Sequence, residues 1–183
     1  LPPQPVRLQL GEVMLSGELA GLRPEGLLRV VPRKANAPEL ITLWLEHLVR
    51  LAAGLPGVAP DSVLYADDGV HRFGAFDADG VALAAGELLQ AWLARYLQGQ
   101  SQPLPFFART SLAYARADSG KEMGAAQNEW APDFTGLGRS PQRDDAANLL
   151  AFRHQEPLSD PLFVQLAETL LRPLVGALQQ VKD

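Results

Sequence analysis

The carboxylates are the residues of this sequence whose types and spacing bear most directly on chemistry. Asp67-Asp68 and Asp144-Asp145 stand as adjacent acidic pairs, and Glu18 sits in a segment of short apolar runs. Clustered carboxylates can hold a divalent cation against a phosphate, usually with a lysine nearby to help activate water. Each group also has a plainer reading. Asp67-Asp68 precede Gly69 between two strand-like runs, where aspartates serve turn geometry and solvation. Asp144-Asp145 precede an apolar segment and suit a helix N-terminus. Glu18 alone on a strand reads as a solvated outward residue, because a cation of this kind draws on several acidic groups. His47, His71 and His154 share no metal-ligand spacing, and His47, on an apolar helix, reads as a hydrogen-bonded core residue. The chain has no cysteine, which excludes disulfides, thiolate metal sites and a thiol nucleophile, and suits a reducing compartment. No P-loop, nucleotide-binding glycine fingerprint, nucleophile elbow or internal repeat is present, and no hydrolase triad can be placed.

The elements that must position these groups begin in residues 6–34. Apolar runs there predict three strands of one small sheet, at 6–10, 13–19 and 26–31. The last is almost continuously apolar and suits a central strand buried on both faces. Gly21, Pro24 and Gly26 supply turn chemistry for a hairpin. A helix opens at Ala37-Pro38-Glu39 and stops at Gly54; its apolar belt covers most of the circumference, as in a largely buried helix lying across the sheet. A hairpin follows at 62–65 and 70–73. A second helix at about 79–98 presents Leu83, Leu88, Leu89, Trp92, Leu93, Tyr96 and Leu97 as its apolar face. Pro103-Leu104-Pro105-Phe106-Phe107 reads as an extended connector that buries its aromatics. Thr110 or Ser111 is expected to cap a helix through Arg116, with another helix at 121–130 and a surface loop at 131–142. Leu149, Leu150 and Phe152 suggest a short buried segment. A final helix capped at Ser159-Asp160-Pro161 runs to about Gln180, kinked by Pro173. The fold class expected is α/β (α+β), a mixed central sheet flanked by helices, in a single domain over 1–183.

Composition sets outer limits. A chain of 183 residues buries a core without staples. No run reaches the length of a bilayer span, and Leu1-Pro2-Pro3-Gln4-Pro5 lacks the order of a signal peptide. With no initiating methionine and this proline-rich start, the sequence is expected to be a piece of a longer protein. The net charge of -5 argues against a freestanding nucleic-acid binder. Charge is uneven, however: residues 1–36 hold five cations (Arg7, Arg23, Arg29, Arg33, Lys34) against three carboxylates (Glu12, Glu18, Glu25). Arg7, Arg23, Arg33 and Lys34 are therefore the candidate DNA contacts.

Taken together, Arg7-Leu8-Gln9-Leu10-Gly11, Gly17 through Leu22, Gly26-Leu27-Leu28-Arg29, Leu43-Trp44-Leu45-Glu46-His47-Leu48-Val49, Pro103-Leu104-Pro105-Phe106-Phe107 and the stretch from Asp160 to Leu174 follow one order and spacing. In these the chain resembles the C-terminal domain family of RecC, the gamma subunit of exodeoxyribonuclease V, the RecBCD helicase-nuclease. That family is similar in fold to PD-(D/E)xK nucleases, whose active members carry a Gly-x-Ile-Asp strand and an Asp-Tyr-Lys strand. On this sequence the resemblance puts Ala20 at the first aspartate, Arg29 at the second and Val31 at the lysine. It implies a degenerate site, with no catalytic residue, metal or cofactor. It further implies a cytoplasmic, noncatalytic domain away from membranes, partnered by the alpha (RecD) and beta (RecB) subunits and by DNA within the complex. Subunit assembly, duplex splitting and strand channelling in a Chi-regulated, recombinational break-repair machine are the implied roles. Two alternatives stay open: a Mg2+-dependent nuclease using Glu18 with Asp67 or Asp144, and an acidic helical interaction module without DNA contact.

Overall fold

The computed structural model describes residues 1–74, 81–131, 140–153 and 155–181. The chain gathers into two compact units, Leu1–Ala94 with Ala177–Asp183, and Arg95–Gly176.

In the first unit, β1 (Gln4–Leu10) and β2 (Val13–Leu19) form an antiparallel ribbon with Val6 opposite Gly17. A separate five-stranded sheet has the order β3 (Leu22–Arg23), β4 (Gly26–Val30), β5 (Ser62–Ala66), β6 (Gly69–Phe73) and β7 (Leu178–Val181). Among the described strands only β4 and β5 pair in parallel, so this is the mixed sheet that the sequence predicts. The expectation that the first strands join it is corrected: among the described residues β1 and β2 pair only with each other, and β1 packs on α1 (Ala37–Ala53). A ribbon with one apolar face is satisfied by covering that face, and a helix serves as well as a sheet.

Strand β4 is not buried along its whole length as expected. Leu27 is 1% exposed but Val30 is 68% exposed. Its neighbour β3 has two residues, so the far half of β4 lacks cover on that side. Gly26 is required where β4 starts: its φ is 128°, and a Cβ there would lie 2.1 Å from the Asp61 carbonyl oxygen. That close approach lets the Leu27 N–H donate to the same oxygen at 2.9 Å.

A parallel pair needs a crossover, and α1 supplies it between β4 and β5. Asn36 and Glu39 start the helix by a reciprocal cap: the Glu39 N–H donates to Asn36 Oδ1 at 3.0 Å, and the Asn36 N–H to Glu39 Oε2 at 2.9 Å. The helix buries Leu40, Leu43, Trp44 and Leu48, and Leu27, Leu64 and Phe73 of the sheet are buried as well. The Asp67-Asp68 turn closes the β5–β6 hairpin as predicted, with Ala66 opposite Gly69.

Helix α2 (Val81–Gly99) passes from the first unit into the second. Of its expected apolar face Leu89 is buried, Tyr96 and Leu97 are 64% and 48% exposed, and the side chain of Leu83 lies outside the described residues, so periodicity overstates the covered face. The second unit continues with α3 (Ala108–Arg116), α4 (Glu122–Trp130), α5 (Ala146–Phe152), α6 (Pro161–Leu166), a π-helical turn at Ala167–Leu171 and α7 (Arg172–Ala177). Phe107, Tyr114, Trp130, Leu158 and Phe163 make its core, so the connector does bury Phe107.

Helix α3 starts earlier than Thr110 or Ser111 would place it. Ser111 lies inside the helix and accepts from the Phe107 N–H at 3.0 Å, while the Gln142 amide oxygen takes the Thr110 N–H and hydroxyl, both at 2.9 Å. A side chain remote in sequence thus serves an N-terminus whose N-cap residue, Phe107, offers no side-chain acceptor. Asp145 stands at the start of α5 but makes no side-chain cap bond, and Leu149 and Leu150, expected inside, are 51% and 74% exposed. Asp160 does cap α6, accepting from the Leu162 N–H at 2.9 Å. The expected single last helix ends at Ala177, and the chain enters strand β7. The π-turn precedes Pro173, whose missing N–H and ring a regular α-turn would not accommodate. Most of the predicted 131–142 loop, and His154, lie outside the described residues.

Candidate functional site

Of the three positions that the resemblance singles out, Arg29 and Val31 fall in one small region of the first unit. Arg29 and Val31 are two residues apart along β4 and its end, so their side chains take the same face. Both line a shallow cleft of about 270 Å³ with Val30, Arg33, Asn36, Pro38, Glu39, Thr42, Leu43, Glu46 and Leu64. Ala20 does not line it; it is an exposed residue in the link after β2. Its neighbour Gly21 does reach the site, since a Cβ there would come within 2.9 Å of an Arg29 guanidinium nitrogen.

Arg29 is held by a carboxylate from the crossover helix. Its Nε donates to Glu46 Oε2 at 3.0 Å, and its Nη2 donates to Glu46 Oε1 in the second half of a bidentate pair. Arg33 pairs with Glu39 at 2.7 Å. Val31 contributes its N–H to the Tyr65 carbonyl at 2.9 Å and no polar side chain. The cleft therefore holds two carboxylates, each matched by a guanidinium. A divalent ion there would have to displace a fixed cation from Glu46 and share its place with another.

Among the described residues no group of three or more His, Asp or Glu is placed to hold a metal ion, and Asp67 of the alternative reading is exposed in the hairpin turn. Glu18 is exposed on the ribbon. Asp68 takes the Ala35 N–H at 2.8 Å and lies 3.4 Å from His71 Nε2. Burial alone would raise its carboxyl pKa, but the hydrogen bonds from Ala35 and His71 outweigh that and hold it below the usual carboxylate range. Asp144 pairs with Arg143 at 3.4 Å. Asp68 thus ties the segment after β4 to the hairpin turn, which is a structural role.

The four candidate DNA contacts do not form one patch. Arg7 is exposed on β1 and Arg23 on β3, before β4 starts, while Arg33 and Lys34 follow its other end. At about 3.3 Å per residue, β4 alone separates Arg23 from Arg33 by more than ~15 Å. Glu39 neutralises Arg33, leaving Arg7, Arg23 and Lys34 as exposed cations.

Next to Glu46 on α1, His47 is the core residue that the sequence predicts. It is fully buried, its Nδ1 lies 2.9 Å from the Ser62 hydroxyl, and its ring stacks on Trp44 at 5.8 Å. Burial, reinforced by the Arg50 charge, lowers its pKa to about 4. Arg50 donates to the carbonyls of Ala59, at 2.7 Å, and Pro60, and burial lowers its own pKa to about 10 while Asp61 opposes that. A serine beside a histidine invites comparison with a nucleophile and base, but both are 0% exposed, so no substrate reaches them.

A second cleft, of about 230 Å³, lies between the ribbon and α1, lined by Val6, Leu15, Ser16, Gly17, Glu18, Leu19, Leu45, Glu46 and Val49. Both clefts fall below the roughly 300–1,000 Å³ of small-molecule sites. Sequence reasoning missed Glu46 as the partner of Arg29, and no local spacing links the two. Glu39 was readable, because Asn36 and Glu39 have the spacing of a capping box.

Comparison with known proteins adds two findings. A family model described as the RecC C-terminal domain matches residues 1–119. The RecBCD enzyme subunit RecC of Escherichia coli (strain K12) is 31% identical over 99 residues, which cover 54% of this chain and 8% of that protein.

Proposed function

We propose that this chain, which belongs to the RecC C-terminal domain family, is a noncatalytic part of a RecBCD-type helicase-nuclease, exodeoxyribonuclease V, built on an inert nuclease-like core. The observation that supports this reading is the Arg29–Glu46 pair: the resemblance puts Arg29 where an acting nuclease has a carboxylate, and Glu46 of α1 is bound to its guanidinium. With alanine and valine at the other two motif positions, neither an ion nor a lysine-assisted water is provided for. The fold then contributes surfaces rather than chemistry. We assign it to subunit assembly with the alpha (RecD) and beta (RecB) subunits, and to DNA-end handling in recombinational break repair, in the cytoplasm. No helix among the described residues is long and apolar enough to cross a membrane.

Co-purification tests the assembly role. Tagged chain is expected to retain the alpha or beta subunit of its own complex through a wash at moderate salt; retention of neither would remove that role. Binding of forked DNA tests the other: affinity should fall as salt rises and weaken with the double change Arg23→Ala and Lys34→Ala. Salt-independent or absent binding would leave assembly alone.

A further inference from the structure

The cleft between the ribbon and α1 has a specific cause in the sequence. Val13, Leu15, Gly17 and Leu19 share the inward face of β2, and Gly17 is the one position in that row without a side chain. A Cβ built on Gly17 meets nothing within 4 Å, and the residue does not adopt a positive φ, so the backbone does not require glycine. The result is a notch walled by Leu15 and Leu19 on the strand and by Leu45 and Val49 on the helix.

One wall of this notch is also an unpaired strand edge. β2 bonds to β1 only, so alternate N–H and C=O groups along its other edge have no strand partner among the described residues. The cleft follows five consecutive residues of that strand, Leu15 to Leu19. Its charged lining is acidic: Glu46 is matched by Arg29, and exposed Glu18 has no ion pair among the described residues.

We propose that the Gly17 notch is a docking socket for an extended segment of a partner protein, which adds to the β2 edge, places an aliphatic side chain over Gly17 and sets a lysine or arginine beside Glu18. Main-chain bonding supplies the adhesion and the notch the side-chain choice, the usual division in strand addition. That the segment belongs to a subunit of the same complex rests on the assembly role proposed above.

The probe is a short labelled peptide alternating valine and lysine, titrated onto the chain, with a valine–glutamate peptide as its counterpart. The lysine peptide should bind saturably and the glutamate peptide should not. Gly17→Val, which fills the notch, should weaken binding about tenfold or more without lowering the melting temperature. Leu45→Lys, on the opposite wall, should weaken it as well. Because the chain has no cysteine, Ser16→Cys carrying a photo-crosslinker should label the peptide from a single site. Equal binding by Gly17→Val, equal binding of the two peptides, or no saturable binding overturns the proposal. So does a concentration-dependent dimer that Gly17→Val abolishes, which would make a second copy the occupant. The peptide experiment involves neither the alpha nor the beta subunit, so its failure leaves the assembly role standing, and failed co-purification leaves the socket standing.

Discussion

Helix α1 carries two sets of polar side chains that differ in burial. In one, His47 and Arg50 are 0% and 3% exposed and bond to Ser62, Ala59 and Pro60. In the other, Glu39 and Glu46 reach into an open cleft and meet arginines from the strand end and the segment after it. The buried set holds the unit together, because a desolvated polar group that loses its partner has no water to replace it. The ion pairs of the open set are more accessible to solvent and contribute less to stability. That the open set is two closed ion pairs is the basis for reading the core as inert.

The largest effect should come from the packing around the buried set. Trp44 is 0% exposed and packs on both His47 and Phe73. Trp44→Ala should cost about 3–5 kcal/mol in urea unfolding. A loss under ~1 kcal/mol would mean that this packing is not the core.

Next is acid. His47 has a folded pKa lowered from 6.5 to about 4, so folding opposes its protonation. The penalty is absent above the unfolded value, grows as pH falls below it, and is complete below the folded value. Stability should therefore drop by about 3 kcal/mol between pH 6.5 and about 4 from this residue. Asp68, with a depressed folded pKa, adds a loss at still lower pH. His47→Gln should remove the upper part of that slope in pH-dependent urea titrations, whereas an unchanged slope would assign it elsewhere.

The open set should respond far less. Arg29 and Glu46 are 36% and 22% exposed at the side chain, so a double-mutant cycle with alanine should give a coupling of about 1 kcal/mol. Arg33, at 56%, should lose less than ~0.5 kcal/mol on replacement by alanine. Coupling above ~3 kcal/mol would move the cleft into the class of the buried set.

The two sets also differ in how legible they were in the sequence. Helix α1 and its burial follow from an apolar belt bounded by Pro38 and Gly54, and the interior place of His47 follows from the belt. The β5–β6 hairpin follows from Asp67-Asp68-Gly69. These are local signals. Arg29–Glu46 joins a strand to a helix, and β7 pairs Leu178 with Phe73 across most of the chain; neither leaves a periodic trace. The short Leu-Gln-Gln-Val run of β7 follows a helical stripe directly, so periodicity carried the helix too far. Leu149 and Leu150 were misplaced because hydrophobicity reports a preference for burial, not its supply. The division of the first four strands between a ribbon and a sheet depends on which surface α1 offers, which no strand encodes by itself.

The proposal of an inert core is tested most directly by titrating Mg2+ and Mn2+ calorimetrically into the chain while assaying cleavage of end-labelled duplex and single-stranded DNA. With Arg29 seated on Glu46, heats should stay at the dilution level and no product should accumulate above a metal-free blank. Saturable, stoichiometric ion binding accompanied by cutting, both lost in Glu46→Gln or Glu18→Gln, would contradict the account.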